Sequence, residues 1–198
     1  IQKNQIKKFN DTILNSNGLI NFEKVPSMRS RLIKVSGKPL DEIDLSKSTE
    51  WIKRHDFGAT YSSTKPNRSQ LISGKWWSEN YNGEPLISLD QDIAESLNVS
   101  IGNTLTFNIL GRDITAKIHN LRKINWTDFG INFFVIFSPG VLNNAPYNFL
   151  ATASFKKENE SEAYIDITNK FPNITLIKVK EIALAAVNIL NQVSGATL

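Results

Sequence analysis

The residues of this 198-residue chain that could do chemistry are few and scattered. His55 and His119 are the two histidines, and neither stands in a metal-ligand pattern with Asp or Glu. His119 alternates with Ile118, which is expected to point inward, so His119 is expected to face solvent. Asp90 and Asp92 are spaced like a catalytic carboxylate pair, but helix capping and compensation of the helix dipole explain them better. These patterns predict no catalytic and no metal site.

Nucleophile and phosphate motifs are equally sparse. No Ser lies in the Gly-X-Ser-X-Gly pattern of a nucleophile elbow. Gly102 and Gly111 punctuate a hairpin and do not form a phosphate-binding loop, so no cofactor is predicted. The chain has no Cys, which excludes disulfides and thiolate chemistry and fits the periplasm and the cytoplasm alike.

Tryptophan is the residue type most suggestive of a binding surface. Trp76 and Trp77 follow Gly74-Lys75, and Trp126 lies in a second aromatic segment. Because Trp combines a large apolar face with one N–H donor, these three residues are the candidate surface for a partner or cargo. If the pair lies on a strand, the side chains point to opposite faces, one into the core and one outward. Core packing of the pair is the alternative.

A second cluster is predicted around Trp126. Arg122, Lys123 and Asp128 flank it and could form a cation–π or ion-pair cluster, for which a structural role is favoured.

Composition narrows the class of protein. Hydrophobic content of 40% and charged content of 21% are typical of a globular domain. The net charge of +4 comes from scattered residues and not from a basic stripe, which argues against nucleic-acid binding. The start of the chain lacks a signal-peptide pattern, and its longest apolar run, near Ile131 to Phe137, is too short to span a bilayer. We expect a fragment of something longer, or a processed protein.

Periodicity and turn residues predict alternating helices and strands that would position these side chains. The predicted helices are Gln5 to Leu14, a short one at Trp51, one capped by Asp90, Ser161 to Phe171, and Lys180 to Val193. The predicted strands are Leu19 to Val35, Phe57 to Ser62, Leu86 to Leu89, Leu105 to Ile109 with its hairpin partner, Asn132 to Phe137, Phe149 to Phe155, and Ile174 to Val179.

A weak internal repeat suggests the domain organisation. Near each end of the chain a helix is followed by a short break and a strand that ends in Lys-Val. We therefore predict an α+β fold in which residues 1–36 plus 147–198 form one layered α/β unit. Residues 37–146 would be a β-rich insertion between its halves.

Several segments in this order resemble the extracytoplasmic domain of FtsX-like (MacB-type) ABC transporter permeases, in the YbbP-like branch. The likeness covers nearly the whole chain, and its most specific parts are Gly74-Lys75-Trp76-Trp77 and Asn132-Phe133-Phe134-Val135-Ile136-Phe137. Further segments that carry it are Met28 to Leu32 with Gly37-Lys38-Pro39, Leu86 to Leu89, Ile93 to Leu97, Ile101 to Phe107, Leu121 to Trp126, Ser138-Pro139-Gly140, and Phe171 to Thr175.

The resemblance implies a split βαβ-type porter subdomain with an inserted β-rich, Sabre-like subdomain, on the periplasmic side of a bacterial inner membrane. It implies a cytoplasmic ABC ATPase as partner, and the domain could also meet a second copy or a second permease half. It implies movement in response to ATP and no catalysis, with a hydrophobic or lipid-type cargo. The alternatives are a soluble ligand- or peptide-binding module and, less favoured, a lipid hydrolase.

Overall fold

A computed structural model describes residues 1–125 and 130–181 and shows a mixed α+β architecture rich in sheet. The strands are β1 (Leu19–Val35), β2 (Lys38–Pro39), β3 (Phe57–Tyr61), β4 (Ser69–Gly74), β5 (Leu86–Asp90), β6 (Thr104–Ile109), β7 (Arg112–Ile124), β8 (Val135–Phe137) and β9 (Asn148–Phe155). The helices are α1 (Ile6–Leu14), α2 (Trp51–Arg54), α3 (Gln91–Ser96) and α4 (Glu160–Lys170), with short 3₁₀ turns at Leu40–Glu42 and Lys157–Asn159.

Six strands form a closed sheet, called the ring below, in the order β1, β3, β8, β5, β7, β6 and back to β1. The pairs β3–β8 and β5–β7 are parallel, and the other four pairs in this ring are antiparallel. Alternation along β6 and β7 turns one row of apolar side chains inward, so that Leu105 and Ile118 are fully buried. Burial of each such side chain contributes roughly 1.5–3 kcal/mol, which makes the ring interior the main core.

The hairpin between β6 and β7 shows how the turn residues set the register. Leu110 and Gly111 both have positive φ, 51° and 85°, as a two-residue type I′ turn requires. The predicted hairpin is confirmed, and its register places Leu105 opposite Ala116 and Phe107 opposite Ile114.

Contacts divide the chain into two compact units. One contains Ile1–Ile6 and Glu23–Thr152, which includes the ring, and the other contains Lys7–Phe22 and Ala153–Leu198. The second unit has its own small core, in which the rings of Phe9 and Phe171 pack 5.3 Å apart beside Ile13. The sequence-based boundaries, 1–36 plus 147–198 and 37–146, remain a prediction.

Most predicted elements at both ends of the chain are confirmed by α1, β1, β9 and α4. The predicted strand from Ile174 to Val179 is wrong, because residues 175–178 pair with no strand among the described residues and Val179 begins a helical turn. Ile177 is 63% exposed, because no described strand pairs with this segment. A high β-propensity does not form a strand unless a neighbouring strand is available. The second copy of the suggested repeat therefore fails at its strand.

The predicted strand from Asn132 is also shorter than expected, because pairing begins only at Val135. Of the predicted helix from Lys180 to Val193, all but Lys180 and Glu181 lies outside the described residues. Within the described part of the chain, no helix is both long and apolar enough to cross a membrane.

Candidate functional site

Strand β5 is buried on both faces, and this places a second layer on the outside of the ring. Ile87 and Leu89 point into the ring core, whereas Leu86 belongs to a separate apolar cluster on the outer face. All five residues of β5 are buried. A strand covered on both faces is typically rich in apolar residues, and β5 has three, while its polar residue Asp90 accepts hydrogen bonds through its side chain.

The outer layer is an aromatic cover formed by Trp76, Trp77, Phe133 and Ile136 over Leu86. The two indole rings pack in a tilted arrangement, with centroids 4.3 Å apart and planes 38° apart. Trp76 Nε1 donates to the carbonyl of Ser63 at 2.9 Å, and Trp77 Nε1 donates to the carbonyl of Ser62 at 2.8 Å. Both rings are therefore fixed to the loop that follows β3.

The pair does not alternate across a strand, because β4 ends at Gly74. Trp77 is only 5% exposed and belongs to the core of the aromatic cover, while Trp76 is half-buried. One ring is thus core and the other is more accessible, although both lie on one side. The third candidate, Trp126, lies outside the described residues, as does Asp128.

Gly74 explains how the segment Gly74–Trp77 approaches β7 so closely. Its φ is +80°, and an added Cβ would stand 2.5 Å from the carbonyl oxygen of His119. Only glycine fits a left-handed backbone pressed against another backbone. Asn120 Nδ2 then donates to the carbonyl of Lys75 at 3.1 Å, which fixes the start of the aromatic cover to the ring.

Beneath the aromatic cover lies a polar stripe formed by Ser88 and Asp90 of β5 and by Asn120 and Arg122 of β7. The two strands place Ser88 beside Asn120 and Asp90 beside Arg122. All four side chains are at most 2% exposed. A register shift after Ile87 makes this possible, because it turns Asn120 and Arg122 to the outer face after Ile118 has pointed into the ring.

Arg122 joins the polar stripe to the aromatic cover. One terminal nitrogen, Nη2, donates to the carbonyl of Phe133, and the other, Nη1, donates to Ser69 Oγ at 3.4 Å. Among the described residues, its Nε has no hydrogen-bond partner, and neither do Ser88 Oγ and Asn120 Oδ1. Burial lowers the pKa of Arg122 to about 10, against the opposing effect of the Asp90 charge.

Asp90 holds the other end of the polar stripe. Its Oδ1 accepts the backbone N–H groups of Asp92 and Ile93 and so caps α3, as the sequence predicts. Its own backbone N–H donates to the carbonyl of Phe134 at 2.9 Å. Burial raises the pKa of Asp90, and the capping hydrogen bonds and Arg122 oppose that rise.

The buried position of Arg122 was not predicted, and the cluster predicted for it around Trp126 stays a prediction because Trp126 and Asp128 lie outside the described residues. The signal that could have found it is the alternation of Asn120, Arg122 and Ile124 along one strand. Arg is rarely fully buried in proteins, so this alternation alone is weak support for a buried position of Arg122.

The two histidines are apart from the polar stripe. His55 Nδ1 lies 3.0 Å from the carbonyl of Trp51, and the ring of His119 packs 6.3 Å from that of Trp77. His119 is half-buried, so it faces solvent less fully than its position on the strand predicts. Across residues 1–125 and 130–181, no three His, Cys, Asp or Glu side chains gather in a way that could hold a metal ion.

Comparison with known proteins points to membrane transport. No family model matches the chain. The chain is similar to an uncharacterised ABC transporter permease, YbbP of Escherichia coli strain K12, with 29% identity over 154 residues. The match covers 78% of this chain but only 18% of that protein, so the chain spans less than a fifth of the length of its relative. This similarity supports a relation to the ABC permeases.

Proposed function

We propose that this chain is the periplasmic domain of an ABC transporter permease of the inner membrane. The observation that carries the proposal is the similarity to a permease over 78% of the chain and 18% of the relative, as expected for one domain of a larger membrane protein. In this proposal the domain couples the action of a cytoplasmic ABC ATPase to the handling or export of a hydrophobic, lipid-type cargo. The domain itself performs no catalysis.

The packing of the ring supports a role in transmission. Its interior is filled by apolar side chains, and Arg122 and Asn120 bond the aromatic cover to the outside of β7. Closely packed interiors transmit strain and do not deform continuously. A ring fixed on its inner and outer faces would therefore move as one body when the attached membrane segments move.

Trp76 is the residue we propose for contact with cargo or a partner. It is the more accessible ring of the pair, and Trp77 supports it from beneath at 4.3 Å. Trp77 itself is 5% exposed and so acts through Trp76. Trp126 stays a candidate for the same surface. A second copy of the chain or a second permease half would be the further partner.

The proposal is tested on the full-length parent protein, purified from membranes with an affinity tag. We expect an ABC ATPase subunit to copurify. Trapping that complex with ATP and vanadate should change the hydrogen exchange of amides within residues 1–181 relative to the nucleotide-free complex. A parent protein recovered without any ATPase, or unchanged exchange in a complex that hydrolyses ATP, would overturn the proposal.

A further inference from the structure

A groove of about 670 Å³ lies where the loop after β3 meets strands β4 and β7. Its volume is within the roughly 300–1,000 Å³ typical of small-ligand sites. Its walls carry three cationic side chains, from Lys65, Arg68 and Lys123, together with the amides of Asn67 and Gln70. The described residues that line it include no Asp or Glu.

Within the part of the chain that the structure describes, one carboxylate neighbours this basic groove. Arg68 Nη1 forms an ion pair with Glu23 Oε2 at 2.8 Å. Lys65 instead donates to the carbonyls of Ser69 at 3.0 Å and Pro66 at 3.3 Å. Its ammonium group carries three N–H donors, so one remains for a ligand. Among the described residues, the three cationic side chains of the groove therefore have one neighbouring carboxylate.

The positions of these cations are set by the fold. Lys123 of β7 lies directly opposite Gln70 of β4, so the two side chains share one face of the antiparallel pair. Arg68 packs so tightly on Gly130 that a Cβ there would collide with its guanidinium group. A cationic group held in place loses less conformational entropy when an anion binds.

A fourth cation lies behind the floor of the basic groove. Ser69, which lines it, is 4% exposed, and its Oγ accepts a hydrogen bond from the buried Arg122. Because this guanidinium is buried away from water, its field reaches further than that of an exposed cation. The charge of Asp90, beside Arg122 on the neighbouring strand, offsets part of that field.

We propose that the basic groove binds a phosphate-type anion, either a free phosphate compound or the phosphodiester headgroup of a lipid. The ammonium groups of Lys65 and Lys123 supply charge-assisted hydrogen bonds, and the amides of Asn67 and Gln70 supply neutral donors. The inference rests on the charges and geometry of the groove and is independent of the transporter assignment.

The test is an NMR titration of the 198-residue chain with inorganic phosphate as the first probe. The measured quantity is the chemical shift of each backbone amide. We expect saturable shifts at residues 65–71 and 123–125. Lys123→Gln removes an exposed cation and should weaken the apparent affinity about tenfold, as expected for the loss of one charge-assisted hydrogen bond. The matched control is Lys117→Gln, an exposed lysine on the same strand outside the groove.

A second probe identifies the source of the phosphate group. Vesicles of phosphatidylcholine alone and vesicles that also contain phosphatidylglycerol are compared in flotation assays. If the anionic vesicles capture the chain, and if Lys123→Gln reduces this capture whereas Lys117→Gln does not, the ligand is a lipid headgroup. Phosphate binding without such capture would assign a free anion. No saturable phosphate shifts, or equal losses in both variants, would overturn the proposal.

Discussion

Asp90 and Arg122 lie side by side on the parallel strands β5 and β7, and both are at most 2% exposed. Burial opposes the charge of each, since it raises the pKa of Asp90 and lowers that of Arg122, while each favours the charged form of the other. Arg122 also bonds Phe133 in the aromatic cover, and Asp90 caps α3. These two buried charged residues therefore fix elements on two sides of the polar stripe.

Arg122→Met should lower the free energy of unfolding by about 3 kcal/mol, because it leaves the buried Phe133 carbonyl without its donor and removes the opposite charge near Asp90. Urea denaturation measures the change. The double variant Asp90→Asn with Arg122→Met should cost less than the sum of the single variants, since no charge remains buried. Additive losses would show that the two groups do not interact.

The pH dependence of stability should carry the signature of Asp90. Its pKa is raised in the folded state, so the native protein holds this proton to higher pH than the unfolded chain. The stabilising contribution of that proton is present below the unfolded pKa and is lost as pH rises through the folded pKa. The stability of the wild type relative to Asp90→Asn should therefore fall as the pH is raised from the strongly acidic range toward neutrality. A difference that grows with pH would contradict this assignment.

Trp77→Ala should lower the free energy of unfolding by about 3–5 kcal/mol, the usual cost of removing a buried aromatic ring. Trp76→Ala should cost clearly less, because that ring is only half-buried. Trp77→Phe keeps an aromatic ring but loses the bond to Ser62 and part of the packing, so we expect a loss between those of the wild type and Trp77→Ala. Equal losses in the two alanine variants would mean that the rings carry equal structural weight.

Comparing the stability of Gly74→Ala with that of Gly37→Ala distinguishes the cost of backbone strain from the cost of a steric collision. Both glycines have φ near +80°, but the added Cβ meets the His119 carbonyl at Gly74 and no described atom within 4 Å at Gly37. Gly74→Ala should therefore destabilise the chain by about 2 kcal/mol more than Gly37→Ala, the cost of overpacking. Chemical denaturation of both variants measures the difference, and equal losses would remove the collision from the explanation.

The local sequence pattern correctly predicted those elements whose structure depends on residues close together in the sequence. Asp90 as a helix cap and Gly111 as the turn residue of a hairpin both follow from chemistry within a few residues. The strand predicted at Ile174 to Val179 failed because a strand also needs a partner edge, which no local pattern encodes.

The site was harder to predict because it depends on long-range register. A bulge next to Ile87 turns Arg122 toward the outer face, and Gly74 lets the segment before the two tryptophans lie close against β7. The sequence did single out the segment Gly74–Trp77, but the rings serve first as a cover for β5. The basic groove was missed because Lys65 and Lys123 come together only through the pairing of β4 with β7.

The central claim is that this chain lies outside the cytoplasm as part of a permease, and cysteine labelling of the full-length parent in intact cells tests it most directly. The chain contains no Cys, so Lys47→Cys introduces one thiol at an exposed position, and Ile52→Cys provides a buried control. The parent protein without either substitution gives the background. We predict that a membrane-impermeant maleimide labels the Lys47→Cys variant in spheroplasts before lysis and leaves the Ile52→Cys variant unlabelled. Labelling of the Lys47→Cys variant only after lysis would contradict the account.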